Sequence, residues 1–443
     1  MKKSLLAVAA IGAFASAAQA QSSVTVYGIL DVGYVGTNTN TTSTSYSNGQ
    51  AKVQSNQFGA SAEQSSRLGF KGNEDLGGGA SAFFTIEMGL NPTLGNLSGS
   101  AAADPKYDLQ QTTNSSGNAI DNRQTFVGLK KNGIGQFAIG RQYTPIFNAG
   151  AATDAAQYTN MMGDVLYSGS SSGASVNTYI NGMTNRADNA LTFQTDKFAG
   201  FSLNGMYAMY GKNATVNNAG TAGGNTNWGG WGLGADYTWN KFYIVGAVQQ
   251  FRTKYNNPIA NAVGTTDLTG AAVVGGQSTG AAATTNLFGA TNLTDQQYYV
   301  GSTYDFGILK AYAQYINRTI NQNDGSSTSG EINGGTTPMV LGQQMKRTAE
   351  QIGVRSYITP TIEAWAQGGL GKYTGAITAG TSAAAPSLPV ANFVMYQVGT
   401  NYYLSKRTNL YAIYGAYNAS SQTQNNGLAG TGSNYAIGVR HTF

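Results

Sequence analysis

The chain of 443 residues has no cysteine, a single histidine and only 8 prolines, and just 10% of its residues carry a charge. Without thiols there is no disulfide framework, no cysteine nucleophile and no cysteine metal site. The lone His441 stands third from the end, so a Ser-His-Asp triad or a His metal site would have to be built at the very terminus. A general base is most often a histidine, and no enzyme activity, cofactor or metal is expected. The stretch GGLGKYTG at 368–375 imitates a phosphate loop, but Ala366 occupies the first Gly position and Tyr373 stands where Ser or Thr is needed. A Gly-rich strand on a crowded wall explains it better. Charged residues make up roughly 25% of an ordinary soluble domain, far above the level here. With 25 Lys and Arg against 20 Asp and Glu, the positive excess is mild and gives no argument for nucleic acid. After residue 20 no apolar run approaches the roughly 18–20 residues of a spanning helix.

What is present points elsewhere. Residues 1–20, MKKSLLAVAAIGAFASAAQA, join a basic start to a short apolar run and small residues at Ala18 and Ala20. That is the build of a cleaved secretory signal, with the mature chain opening at Gln21. Glycine (60) and tyrosine (27) are heavily used. Extended segments recur at about 24–36, 65–74, 80–90, 122–131, 135–143, 186–196, 200–210, 229–239, 241–253, 295–305, 308–320, 347–358, 361–373, 392–403, 408–418 and 434–443. Their connections alternate in length. Asn132-Gly133-Ile134, Phe306-Gly307 and Thr359-Pro360 are hairpin turns. The stretches 37–64, 91–121, 144–185, 254–294 and 321–346 are long and rich in Ser, Thr, Asn and Gly. An even set of sixteen strands with this rhythm is an all-β, antiparallel up-and-down transmembrane barrel, one domain over 21–443, with short periplasmic turns and long extracellular loops. The chain ends then meet at the short-turn rim and no edge is left open.

Alternation assigns the faces, because neighbouring side chains of a strand point to opposite sides. In the segment 297–315, Tyr298, Val300, Tyr304 and Tyr315 share one face, and Tyr299, Thr303, Lys310, Tyr312 and Gln314 the other. Lipid outside and water inside fit this division. The closing NYAIGVRHTF places Tyr435, Ile437, Val439, His441 and Phe443 outward and Arg440 inward. By the same rule Arg67 and Lys71 face the lumen against Leu68 and Phe70, Glu87 faces it against Ile86 and Met88, and Asp31 against Leu30 and Val32. Arg123 is a further inward candidate at the start of its strand.

The segments SSVTVYGILDVGY near the start, SSRLGFKGNEDLGGG (65–79), NRQTFVGLK (122–130), GQFAIGRQYTP (135–145), NRADNALTFQTDKFAGFSLNGMY (185–207) and the closing YAIGVRHTF resemble the general porin family of Gram-negative outer membranes. The resemblance runs the whole mature length. It implies a homotrimer of sixteen-stranded barrels in outer-membrane lipid and lipopolysaccharide, passing ions and small hydrophilic solutes by passive diffusion. It also implies that the third long connection, 144–185, folds inward as a constriction loop. It sets Arg67, Arg141 and Arg186 among the constriction arginines, opposed by the loop acids Asp154 and Asp164, although no Pro-Glu-Phe-Gly follows Thr144. An excess of inward arginine predicts a weak anion preference. Phe443, with Tyr435, becomes the signal read by the outer-membrane assembly machinery. A substrate-specific channel for a sugar or dicarboxylate is the alternative, with Tyr299 and Tyr312 as candidate lumen aromatics.

Overall fold

The computed structural model describes residues 23–42, 50–94, 121–167, 183–214, 224–256, 265–266, 272–273, 291–323, 328–329, 338–339, 344–374, 390–421 and 430–443. The leader expected at 1–20 and the stretch 168–182 of the third connection lie outside these residues.

The wall is a ring of sixteen antiparallel staves. Stave β1 is Ser23–Thr42, and β2 comes in two parts, Gln50–Ala60 and Arg67–Gly77. Then follow β3 (Ala80–Gly89), β4 (Asn122–Lys131) and β5 (Gly135–Tyr143), the helix α1 (Pro145–Thr153), and β6 (Arg186–Thr195), β7 (Phe201–Ala214) and β8 (Gly224–Trp239). The remainder are β9 (Phe242–Asn256), β10 (Thr291–Asp305), β11 (Lys310–Gln322), β12 (Gln344–Thr359), β13 (Ile362–Thr374), β14 (Val390–Tyr403), β15 (Thr408–Ser421) and β16 (Gly430–Thr442). Each stave pairs with the one before it, and β16 pairs back onto β1 from Ile29↔Thr442 to Thr41↔Gly430. Closure satisfies every ladder group without water, which hydrocarbon demands of a spanning sheet.

The period of two sorts the side chains as hydrocarbon outside and water inside would require. Val26, Leu30 and Tyr34 of β1, Phe137 and Ile139 of β5, and Val394, Tyr396 and Val398 of β14 are exposed, while Gln249, Gln297, Tyr299 and Gln397 are buried on the inward face. An apolar exterior around a polar interior reverses the soluble pattern. Exposed Phe198, Phe201, Trp239, Phe306, Tyr357 and Phe443 gather near the short-turn rim, where rings with one wet edge are comfortable. Phe443 is the final stitch of the closure. Its N–H donates to the Gly28 carbonyl (3.1 Å) and its carbonyl accepts from the Gly28 N–H (3.0 Å). The ring lies over Gly28, where any Cβ would collide with it.

The structure corrects the first long connection. The residues 37–64, expected as a loop, continue β1 to Thr42 and form the first part of β2, paired from Val32↔Ala60 to Thr42↔Gln50. Here Thr, Asn, Ser and Gln occupy both faces, because both meet water above the membrane, so the alternation that reveals a strand disappears while the ladder continues. The same effect lengthens β7–β12 at their long-loop ends.

Candidate functional site

Between the two parts of β2, residues 61–66 leave the wall and bow inward. Asp31 holds them. Its Oδ2 accepts from the backbone N–H of Glu63 (2.8 Å) and Gln64 (2.6 Å), and its Oδ1 accepts from the Tyr411 hydroxyl (2.6 Å). Asp31 is thus fully buried, an anchor for the bow rather than the pore-lining acid expected of it. Glu63 in turn accepts from Asn409 (3.0 Å) and pairs with Arg440 (3.4 Å).

The third connection starts as a capped helix. The Thr144 hydroxyl accepts from the Phe147 N–H (3.2 Å) and donates to the Thr184 carbonyl (2.7 Å), and Pro145 opens the first turn. Residues 145–167 then run along the inner face of the wall, and they and the returning Thr184 are held by one carboxamide on each of β9–β14 and one on β16. Gln249 accepts from the Ile146 N–H (3.3 Å), Gln297 from Thr184 (2.9 Å), Gln351 from Val165 (3.0 Å) and Gln367 from Ala156 (3.0 Å). Gln314 donates to the Gly150 carbonyl (3.2 Å), and Gln397 to the carbonyls of Met161 (3.3 Å) and Met162 (2.9 Å). On β16, Asn434 accepts from Met162 (3.0 Å). A carboxamide is donor and acceptor at once, so it satisfies a loop backbone in either sense without burying a charge. Glycines give the loop its closeness: a Cβ on Gly353 would lie 2.6 Å from the Ala155 methyl, and one on Gly369 would lie 2.7 Å from Val165 Cγ2. Within the Gly-rich 368–375 segment, Gly369 is the glycine that seats the loop, while Gly371 makes room for the Phe393 ring. At its far end the loop reaches the bow, with the Asn160 N–H on the Ala62 carbonyl (3.0 Å) and its amide on the Ser61 carbonyl (2.6 Å).

Facing the loop across the lumen, β2–β6 carry a basic cluster. Glu87 accepts from Arg123 Nε (2.8 Å) and from the Tyr27 hydroxyl (3.1 Å), and Arg123 Nη2 donates to the Tyr143 hydroxyl (2.9 Å). The Arg186 guanidinium lies over the Tyr143 ring (5.0 Å), which stacks on Phe147 of the helix (4.2 Å). Arg67 donates to Gln64 of the bow (3.2 Å). Lower on the same face, the exposed Lys71 ammonium sits over the Tyr27 ring (5.4 Å). Arg123 shares sequence parity with the lipid-facing Val127 and Leu129. It turns inward because the β3–β4 register shifts between Glu87 and Met88, and a bulge re-aims a side chain.

Three other expected residues sit elsewhere. Arg141 pairs with Thr125 on the outward row of Phe137 and Ile139, and its guanidinium binds Asp188 and the Asn122 carbonyl (2.7 Å), not Glu87. The loop acids do not oppose the arginines. Asp154 and Asp164 are each 1% exposed, turned behind the loop toward β11–β13. Asp154 accepts from the Tyr158 N–H (2.7 Å) and Gln351 (3.1 Å), and Asp164 from the N–H groups of Leu166 (2.7 Å) and Tyr167 (2.9 Å). Burial raises both carboxyls above the ordinary range, and for Asp154 the neighbouring Asp164 adds to the rise. Tyr299 is likewise covered, its hydroxyl 2.5 Å from that of Thr153. Tyr435 and Phe443 lie far apart: Tyr435 is exposed well up β16, its ring 6.3 Å from Tyr34.

Alternation alone overlooked Tyr27, Tyr143 and the carboxamide row. It also overlooked the ion pairs behind the loop, Arg355–Glu363 (2.6 Å) and Arg318–Asp295 (2.7 Å), and Arg347, which donates to the Val165 carbonyl. One signal was available, namely a glutamine on the inward parity of each stave from β9 to β14.

A family model described as Gram-negative porin matches residues 7–336. The chain is 27% identical to an outer membrane porin protein of Bordetella pertussis over the full length of both. It is 31% identical to outer membrane porin protein 32 of Delftia acidovorans over 50% of this chain and 54% of that one. Among solved structures, an anion-selective porin from Comamonas acidovorans superposes with a TM-score of 0.57 at 18% identity, covering 96% of this chain and all of the other. The trimer form of OmpT, an outer membrane protein of Vibrio cholerae, gives 0.53 at 14% identity, covering 95% of this chain and 99% of that one.

Proposed function

Because this chain belongs to the Gram-negative porin family and forms an outer-membrane diffusion channel, we propose that it passes small hydrophilic solutes and ions with a mild preference for anions. One observation carries the preference. Arg67, Arg123 and Arg186 gather with Glu87 on one side of the lumen, while Asp154 and Asp164 are buried behind the loop. Fixed cations in a narrow, low-dielectric passage raise the local concentration of anions. Reversal potentials of the purified protein in a planar bilayer, across a tenfold KCl gradient, should take the sign of chloride preference. A potassium-selective sign would refute the assignment of these arginines.

The same reading makes the long-loop rim extracellular and the assembly a homotrimer, as in the trimer form of the Vibrio cholerae relative. A band that resists detergent until heated is the expected result. Phe443, sealed onto Gly28 at the periplasmic rim, is the residue on which the assembly machinery would end its reading. A sugar- or dicarboxylate-specific channel needs an open aromatic track, and Tyr299 is occupied by Thr153. Conductance that rises linearly with solute, without saturation, separates the two.

A further inference from the structure

Four rings gather where the third connection leaves β5. Tyr143 stacks on Phe147 (4.2 Å), Phe147 leans on Tyr158 (5.1 Å) and meets Tyr167 edge to face (6.0 Å), and Tyr158 stacks on Tyr167 (4.5 Å). Their burial differs. Tyr158 is buried, its hydroxyl on the Met183 sulfur (3.6 Å), whereas Tyr143, Phe147 and Tyr167 are half-buried. The loop turns its aliphatic side to the wall, where Ile146, Val165 and Leu166 are fully covered, and the residues next in sequence, Phe147 and Tyr167, cap that core from outside. Carboxamides and aliphatic burial already hold the loop to the wall, so the half-open rings are surplus to that task. The passage meets an aromatic surface.

Arginines stand at both ends of it. The Arg186 guanidinium lies over the Tyr143 ring (5.0 Å). At the other end the Tyr167 hydroxyl donates to Asn160 (3.4 Å), the Asn160 amide donates to Ser61 and Ser65 of the bow, and Gln64 of the bow accepts from Arg67 (3.2 Å). Arg67 is half-buried, and a guanidinium carries five donors, of which Gln64 takes one. The acid of this cluster, Glu87, already accepts from Arg123 and the Tyr27 hydroxyl. A small anion without a ring uses the arginines and leaves the aromatic surface wet, while a neutral ring forgoes the arginines. A flat ring that bears a carboxylate uses both, through ring pairing and charge-assisted hydrogen bonds.

We propose that this patch is a binding site for small aromatic carboxylates crossing the channel, with the ring against Phe147 and Tyr167, the carboxylate on Arg67, and Arg186 adding positive charge beside it. The inference deepens the anion-preferring diffusion reading and rests on it, because the arginine wall has to face the passage. It names the one solute class that pauses there. Solutes lacking the ring or the charge pass without saturation.

The test is single-channel recording of the full-length assembled protein in a planar bilayer, in KCl at neutral pH, with benzoate, cyclohexanecarboxylate, benzyl alcohol or acetate added in turn. Benzoate should interrupt the current saturably. Benzyl alcohol, which lacks the charge, should need a roughly tenfold higher concentration, and cyclohexanecarboxylate, which keeps charge and size without a π face, roughly threefold more. Acetate should not interrupt at all. Phe147→Leu should shorten the benzoate events roughly two- to tenfold, and Phe147→Tyr, which keeps the ring, should retain them. Since Phe147→Leu also alters loop packing, the solute series on the unaltered protein decides by itself. Absence of saturation, or a benzoate response equalled by acetate, benzyl alcohol or cyclohexanecarboxylate, would overturn the proposal. If the KCl gradient still gives the chloride sign, the aromatic site falls alone; a potassium sign takes the arginines out of the passage, and both readings fall.

Discussion

Around the lumen, β2–β6 present Arg67, Arg123 and Arg186 to the passage, whereas β9–β14 present Gln249, Gln297, Gln314, Gln351, Gln367 and Gln397 to the loop. The first wall keeps its charge in excess, with Glu87 as the one acid in contact with the cluster among the described residues. The second pairs Arg355 with Glu363 and Arg318 with Asp295, turns Arg347 onto the Val165 carbonyl, and does the rest of its holding with neutral amides. The difference follows from what each wall touches. A wall that borders the passage can carry a net charge, its largely buried Arg123 and Arg186 held by Glu87 and the Tyr143 ring and hydroxyl. A wall covered by a peptide loop has to satisfy backbone N–H and carbonyl groups out of water, where an unpaired charge is costly and an unmade hydrogen bond costs about 1–3 kcal/mol.

The comparison breaks most completely if the covered wall loses its fit. A side chain on Gly415 would run into the Met162 carbonyl, which is backbone and cannot swing aside. Gly415→Val should therefore lift the loop, at a cost of about 1–3 kcal/mol of overpacking, and give larger, noisier single-channel currents. Gly246 is the control, since its nearest neighbour for a Cβ is the Tyr299 carbonyl oxygen at 3.9 Å. Gly246→Ala should leave the currents unchanged. If both variants conduct alike, the loop does not depend on the glycine seats.

A second, smaller change acts on the charged wall alone. Arg67→Gln with Arg186→Gln removes two cations and leaves Glu87 paired with Arg123. The reversal potential should move several-fold toward potassium in permeability ratio. Arg355→Gln with Glu363→Gln removes a matched pair from the covered wall, and the reversal potential should stay where it was. Equal shifts from the two double variants would erase the distinction between the walls.

The staves themselves were legible because lipid and water impose a period of two, and each of the sixteen expected segments became one stave. Legibility failed wherever that contrast vanished. Residues 50–60 pair as a strand in water on both faces, so their sequence reads as a loop. Arg123 was expected inward and is inward, although only a shift between Glu87 and Met88 brings it there, whereas Arg141, set among the constriction arginines by resemblance, lies on the outward row beside a shift between Gly140 and Gln142. Bulges leave no reliable trace in a single sequence. The loop acids were beyond reach for a different reason: no periodicity governs 154–167, and the glutamines on the wall it covers decide which way it turns.

The smallest expected effect tests whether those acids are truly turned away. Burial holds the carboxyls of Asp154 and Asp164 above their ordinary range, so the seated loop binds more protons than a released one. Seating is then complete at low pH and weakens as pH climbs from the ordinary carboxylate value through the raised ones. Proteolysis within the loop should accelerate over that window. Asp164→Asn removes one charge, keeps the Oδ1 acceptor for Leu166 and Tyr167, and puts an amide where Oδ2 has no partner. It should flatten the pH response and slow cleavage at alkaline pH. A native loop that instead tightens as pH rises would mean ionised carboxylates facing water, and the arginine wall would then have an acidic counterpart across the passage.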